Sequence, residues 1–302
     1  MEWATSDTVR VVGVNWPDLS FLLAARSLGA SYDRTLTIGR QNLYADAAAI
    51  MEAYADVGAH IAATDADGIV RESSGYMESL LRYWGAHAVD SLDASNYEGA
   101  TIVHDLNHPL PDELHGKYSL VFDGGSLEHI FNFPGALKSC MDAIELGGHF
   151  VTITPANNQF GHGFYQFGPD LFYQALSPAN GFNMVVVLMR ASHRCARWRE
   201  VSNPQAVGTR VLLTSPWPSL LFMLAKRVSI VEALVTAPQQ SDYTVAWSDS
   251  ARPVSRLLRW YERLPAPFRR AARLAAAFTG STSHRDHFKR VGMAEVARRP
   301  HS

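Results

Sequence analysis

The chain has 302 residues, 47% of them hydrophobic and 19% charged, which is the balance of a packed globular protein and excludes a disordered or collagen-like one. Its two cysteines, Cys140 and Cys195, are far apart and in no Cys-x-x-Cys spacing, so neither a disulfide framework nor a zinc knuckle is suggested. The net charge of −2 hides an asymmetry: residues 251–302 hold twelve Lys/Arg against three Asp/Glu, leaving fifteen against twenty-six of the chain's 27 and 29.

No basic leader followed by an apolar run opens the sequence, and the longest apolar run, "PSLLFMLAKRVSIVEALV", is broken by Lys226 and Arg227. The reading is a cytoplasmic protein. In chain order, Pro17, an apolar run and Gly29 frame a helix over 17–29, and "RTLTIG" (34–39) is a β-branched strand ending at a glycine. Residues 43–56 and 76–84 are expected to be helical, with the polar "TDADGIVRESSG" between them. Strands follow at "HAVDSLD", "ATIVHD" and "YSLVFD". "PGALKSCMDAIEL" reads as a helix ending at Gly147, because Ala136, Leu137, Cys140, Met141 and Ile144 recur at helical spacing. "HFVTITP" is the next strand, then a helix at 169–176, strands at "NMVVVLMR" and "SLLFMLAKR", and basic helical segments from Val254 to Phe278.

Strands alternating with helices predict a doubly wound, mostly parallel α/β sheet, with ligands outside the carboxyl ends of the strands. The expected division is an α/β domain over 1–250, with an insertion at about 45–80 that is a candidate lid, and a basic helical extension over 251–302. Just after the strands stand Gly39, Arg40 and Gln41, then Asp93, Asp105, and the run Asp123 to His129. A glycine lets backbone approach a ligand, an acid after the second strand accepts from ribose hydroxyls, and one after the third takes an adenine amino group. Gly124 and Gly125 leave room beside such a ligand.

"YSLVFDGGSLEHIFNFPGALKSCMDAIELGGHFVTITP" resembles the fourth-strand, helix and fifth-strand segment of class I S-adenosylmethionine-dependent methyltransferases, and "VDSLDASNYEGATIVHDLNHPLP" resembles their second and third strands. The likeness covers about residues 34–176. It implies a seven-stranded Rossmann-like sheet, S-adenosylmethionine as cofactor, and cofactor contacts from Gly39, Arg40, Gln41, Asp93, Asp105, Leu106, Asp123 and Gly124. Where the family carries Gly-x-Gly-x-Gly after the first strand, this chain has "TIGRQ". Arg40 therefore either pairs with the methionine carboxylate or bridges to a structural acid.

Methyl transfer aligns donor and acceptor and uses a base for the acceptor proton. Glu128, His129 and His162 are the candidate catalytic residues, with Asn157, Asn158, Tyr165 and Gln166 around His162; helix bracing is the alternative role for Glu128 and His129. Some quinone O-methyltransferases hold a divalent ion through a Glu-x-x-Glu-His run. Gly125 stands at the earlier glutamate position here, so no metal is expected. The acceptor is read as a small molecule, a saccharide or glycolipid hydroxyl. The face of Arg256, Arg259 and Arg263 suits an anionic membrane surface. No nucleic-acid module and no Gly-x-Gly-x-x-Gly of a nicotinamide enzyme is recognisable. A non-catalytic methyltransferase-like binding or scaffold protein is the alternative.

Overall fold

The computed structural model describes residues 13–208, 210–211, 217–247, 263–269 and 287–300. Its centre is a nine-stranded sheet built from β1 (Arg34–Ile38), β2 (Ala88–Asp93), β3 (Ile102–Val103), β4 (Tyr118–Asp123), β5 (Ile144–Asn157), β6 (Phe182–Ala191), β7 (Arg199–Val201), β8 (Ser219–Arg227) and β9 (Phe288–Arg290). The order is β3-β2-β1-β4-β5-β8-β6-β7-β9. Strands β1 to β5 pair in parallel, and β8 inserts between β5 and β6, antiparallel to both.

All six residues of β4 are buried, as a central strand covered on both faces requires. Successive side chains go to opposite sides. Leu120 and Phe122 join one apolar cluster, while Val121 joins the other. The first cluster lies under α1 (Trp16–Ser27), α2 (Ala47–Asp56), α3 (Ala63–Glu72), α4 (Glu78–Tyr83) and the helix Met293–Ala297. The second lies under α5 (Phe133–Ala143) and α6 (Pro169–Ala175). Each fully buried Leu or Phe contributes about 1.5–3 kcal/mol of transfer free energy.

Several elements differ from the sequence expectation. The sheet has nine strands rather than seven, because three-residue β7 and β9 pair at its edge: Arg199 faces Arg290, Glu200 faces Lys289, and Val201 faces Phe288. Runs that short and charged carry no strand period. Arg299 clasps Glu200 through two bonds of 2.7 and 2.8 Å, so residues 287–300 belong to the α/β body rather than to a separate extension. The polar stretch after Ile61 contains α3, whose inward side is only Ala66 and Ile69. Helices α2 to α4 pack into the first cluster, so the expected insertion is part of the helical layer rather than a lid.

Helix α5 stops at Ala143 and β5 begins at once, although the helical period continues through Ile144. Buried Arg227, at the end of β8, explains the stop: its guanidinium donates to the carbonyls of Met141 and Asp142 at 3.1 and 3.3 Å, taking acceptors at the helix end. Arg256, Arg259 and nearly all of the expected 254–278 helices lie outside the described residues. Among those described, no helix is long and apolar enough to cross a membrane.

Candidate functional site

The loops at the carboxyl ends of β1 to β4 enclose a cavity of about 350 Å³ lined by Gly39, Asp93, Asp105, Leu106, Ser126 and His129, among others. Gly39 closes the end of β1. Its φ of +70° suits glycine, its N–H donates to Leu92 O at 2.7 Å, and a Cβ there would stand 2.8 Å from Ser126 Oγ. Ser126 Oγ in turn donates to Ile38 O at 2.8 Å, which ties the turn after β4 to the end of β1.

Asp93 follows β2. It keeps most of its carboxylate for the cavity: Oδ1 accepts from Ser95 N at 3.0 Å, and Oδ2 lies 3.8 Å from the position of a Cβ on Gly39. Asp105 is exposed and accepts from the backbone and side-chain nitrogens of Asn107, which hold its pKa below the usual carboxylate value. Leu106 beside it is buried and gives the cavity an apolar wall. The cavity thus pairs acceptors at two corners with an apolar surface between them.

Four of the expected contacts, Arg40, Gln41, Asp123 and Gly124, do not line this cavity. Arg40 Nε donates to Glu78 Oε1 at 2.7 Å, another guanidinium nitrogen donates to Glu98 O at 2.8 Å, and the group lies 3.8 Å over the Tyr76 ring. It bridges to a structural acid and does not line the cavity. Asp123 is fully buried and accepts from Ser126 N, Leu127 N and Thr152 Oγ1 at 2.9, 3.2 and 2.7 Å. Those bonds make it the brace of the turn, although burial raises its pKa. Gln41 is buried, donates to Ile38 O at 2.6 Å, and covers Gly124, where a Cβ would lie 2.4 Å from Gln41 Oε1. The narrow space beside Gly124 and Gly125 is bounded by Asp18, Phe122 and Glu128.

The turn Leu127–His129 brings Glu128 inward and His129 to the surface of the cavity. The loop after β5 folds over it: Phe164 N and Tyr165 N donate to Glu128 O at 2.8 and 3.3 Å. Gly163, at φ +69°, permits that approach, since a Cβ there would be 2.8 Å from the same oxygen. His162 Nε2 then lies 3.2 Å from Glu128 Oε1, and the rings of His129 and His162 meet edge to face with centroids 4.9 Å apart. Burial raises the Glu128 pKa, and the nearby Asp123 charge adds to it. Burial lowers both histidines, and at His162 the His129 charge lowers it further.

All three expected catalytic side chains therefore meet in space. Their expected polar neighbours do not all follow: the Tyr165 hydroxyl donates to Phe131 O at 2.7 Å and Gln166 Oε1 accepts from Gln159 N at 2.8 Å. Phe131 and Phe164, 75% and 69% exposed, form an apolar rim beside the histidines. Ser126 and Asn107 were not singled out by the sequence reading. Their signal is only a polar residue two or three positions beyond a strand-terminal acid.

A sheet running 3-2-1-4-5-8-6, with β8 reversed between β5 and β6 and the cavity at the ends of β1 to β4, defines a Rossmann-like methyltransferase fold. No protein-family model and no curated protein matches the chain. Solved structures that it resembles include the Burkholderia thailandensis 1,6-didemethyltoxoflavin-N1-methyltransferase with bound 1,6-didemethyltoxoflavin and S-adenosylhomocysteine, at 11% identity and a TM-score of 0.36 over 71% of this chain and 81% of that one. A S-adenosylmethionine-dependent methyltransferase from Mesorhizobium loti gives 14% and 0.31 over 70% and 100%. The branched-chain polyamine synthase from Thermus thermophilus, in complex with N4-aminopropylspermidine and 5'-methylthioadenosine, gives 13% and 0.35 over 78% and 65%.

Proposed function

We propose that this protein is an S-adenosylmethionine-dependent methyltransferase acting on a small-molecule acceptor. The observation that carries the reading is the cavity where Gly39, Asp93, Asp105, Leu106 and His129 converge. Asp93 would accept from the ribose hydroxyls, Asp105 from the adenine amino group, and Leu106 would pack on the base. Gly39 allows the nucleoside to approach the backbone. Gln41 and Asp123 support this pocket from behind rather than touching the cofactor.

The transferable methyl would then point toward Glu128, His129 and His162, which handle the acceptor hydroxyl. The acceptor we favour is a saccharide or glycolipid hydroxyl: polar groups meet the transferring oxygen, and the exposed Phe131–Phe164 pair offers a face for a sugar ring or a lipid chain. A non-catalytic binding or scaffold protein is the second reading, favoured by the Gln41 side chain that fills the space over Gly124.

Calorimetric titration with S-adenosylmethionine and S-adenosylhomocysteine is the test. Micromolar binding of both is expected, followed by transfer of a labelled methyl to a glycoside or glycolipid acceptor. Micromolar binding without transfer to a glycoside or glycolipid overturns that choice of acceptor; weak or absent binding of both nucleosides overturns the enzyme and favours the scaffold reading.

A further inference from the structure

We infer that Glu128, His129 and His162 form a site for one divalent first-row transition cation. One ligand atom from each residue lies within 4.8 Å of the other two, and the three come from only two segments, the turn after β4 and the loop after β5. Two imidazoles and one carboxylate leave coordination positions open, the donor set that zinc and ferrous iron accept at reactive sites. The sequence argues against a metal because Gly125 takes the place of an earlier glutamate. The fold brings His162 to the cluster instead.

The independent observation is the second oxygen of Glu128. The residue is fully buried, Oε1 meets His162, and among the described residues Oε2 has no hydrogen-bond partner. A buried carboxylate oxygen without a donor is costly, and a cation bound at the same group satisfies it. Among the described residues, the basic side chain paired with Glu128 is His162 alone, at 3.2 Å. Tetrahedral bonds of about 2.1 Å place ligand atoms about 3.4 Å apart. Glu128 and His162 already have that spacing, and His129, at the exposed end, turns inward to complete it.

The site exists independently of the methyltransferase reading; its use rests on that reading. An acceptor hydroxyl on an open position loses its proton to solvent more readily. Its oxygen lone pair then forms the new C–O bond, while the sulfonium S–C pair returns to sulfur as the thioether.

The experiment uses full-length protein freed of metal with a chelator and dialysed, then titrated with Zn(II) by calorimetry and with Co(II) by visible absorption. One equivalent is expected to bind, and His129→Ala and His162→Ala each weaken it by at least about tenfold. His129→Ala changes a surface residue, so its loss of binding reports on ligation rather than on folding. Glu128→Gln, which keeps the shape, weakens binding likewise. No saturable binding, or binding unchanged in both histidine variants, overturns the site and assigns any uptake to other members of the chain's 12 histidines. The same sample is titrated with S-adenosylhomocysteine: nucleoside binding without metal binding rejects the cation site alone, and the reverse rejects the methyltransferase reading alone.

Discussion

Arg40 is committed to Glu78: Nε donates to the carboxylate at 2.7 Å while the guanidinium rests on Tyr76. The pair fastens the loop after β1 to the first turn of α4. Arg40→Ala is therefore expected to cost roughly 1 kcal/mol in thermal or denaturant unfolding. Affinity for S-adenosylhomocysteine should stay within about threefold. A loss beyond tenfold in calorimetry would return the guanidinium to the cofactor.

Asp93 has the opposite character. Its one described side-chain bond is to Ser95 N, two residues on, so little of the fold depends on it. Asp93→Ala is expected to lower S-adenosylhomocysteine affinity at least about tenfold, the loss of one or two hydrogen bonds to a charged acceptor, with unfolding nearly unchanged. Full affinity in the variant would mean that the ribose lies elsewhere.

These two residues show how far the sequence reaches. A strand followed by an acid placed Asp93 and Asp123 at the ends of their strands and Asp105 two residues beyond its own, and the strand–helix alternation anticipated the parallel sheet. Position along a strand does not say where a side chain's bonds go. Asp123 and Asp93 share that position, yet Asp123 is consumed by Ser126, Leu127 and Thr152. Likewise, the convergence of His162 on Glu128 depends on Gly163 letting one loop cross another, a contact between residues 34 positions apart. Strands β7 and β9 stayed hidden because three residues give no period, and the end of α5 because its cap, Arg227, comes from a distant strand.

Gln41 and Gly124 form a steric pair. Gly124→Ala would drive a methyl to 2.4 Å from Gln41 Oε1, and is expected to destabilise by about 1–3 kcal/mol. Gln41→Ala alone costs about 1–2 kcal/mol through the lost bond to Ile38 O. The double variant should be more stable than the sum of the two by at least about 1 kcal/mol, measured as a cycle in denaturant. Strict additivity would show that the two do not share the space.

His149, buried in β5, has no partner on either ring nitrogen among the described residues, and burial with the Lys226 charge lowers its pKa to about 4. Between an unfolded value near 6.5 and that of the native state, the unfolded chain binds a proton that the native chain does not, so stability falls as pH falls through this window. His149→Phe should remove about 2 kcal/mol of the loss between pH 7 and 4.5. Asp18, raised to about 7 by burial, acts in the opposite sense, since its native state holds the proton longer. The difference between variant and parent isolates the histidine. An unchanged acid limb would place a proton acceptor beside the ring.

The pairing of β7 with β9 also bears on synthesis. Val201 acquires its edge partner only when Phe288 has been made, 87 residues later, and Glu200 meets Arg299 later still. Until then a nascent chain on the ribosome presents β7 as an open edge, beside a sheet whose other strands are already available to pair. A ribosome stalled before residue 288 would thus release a polypeptide with its main core sequence complete but a strand edge able to recruit another chain. Aggregation is the foreseeable fate of such products, even though few of the core side chains would be missing.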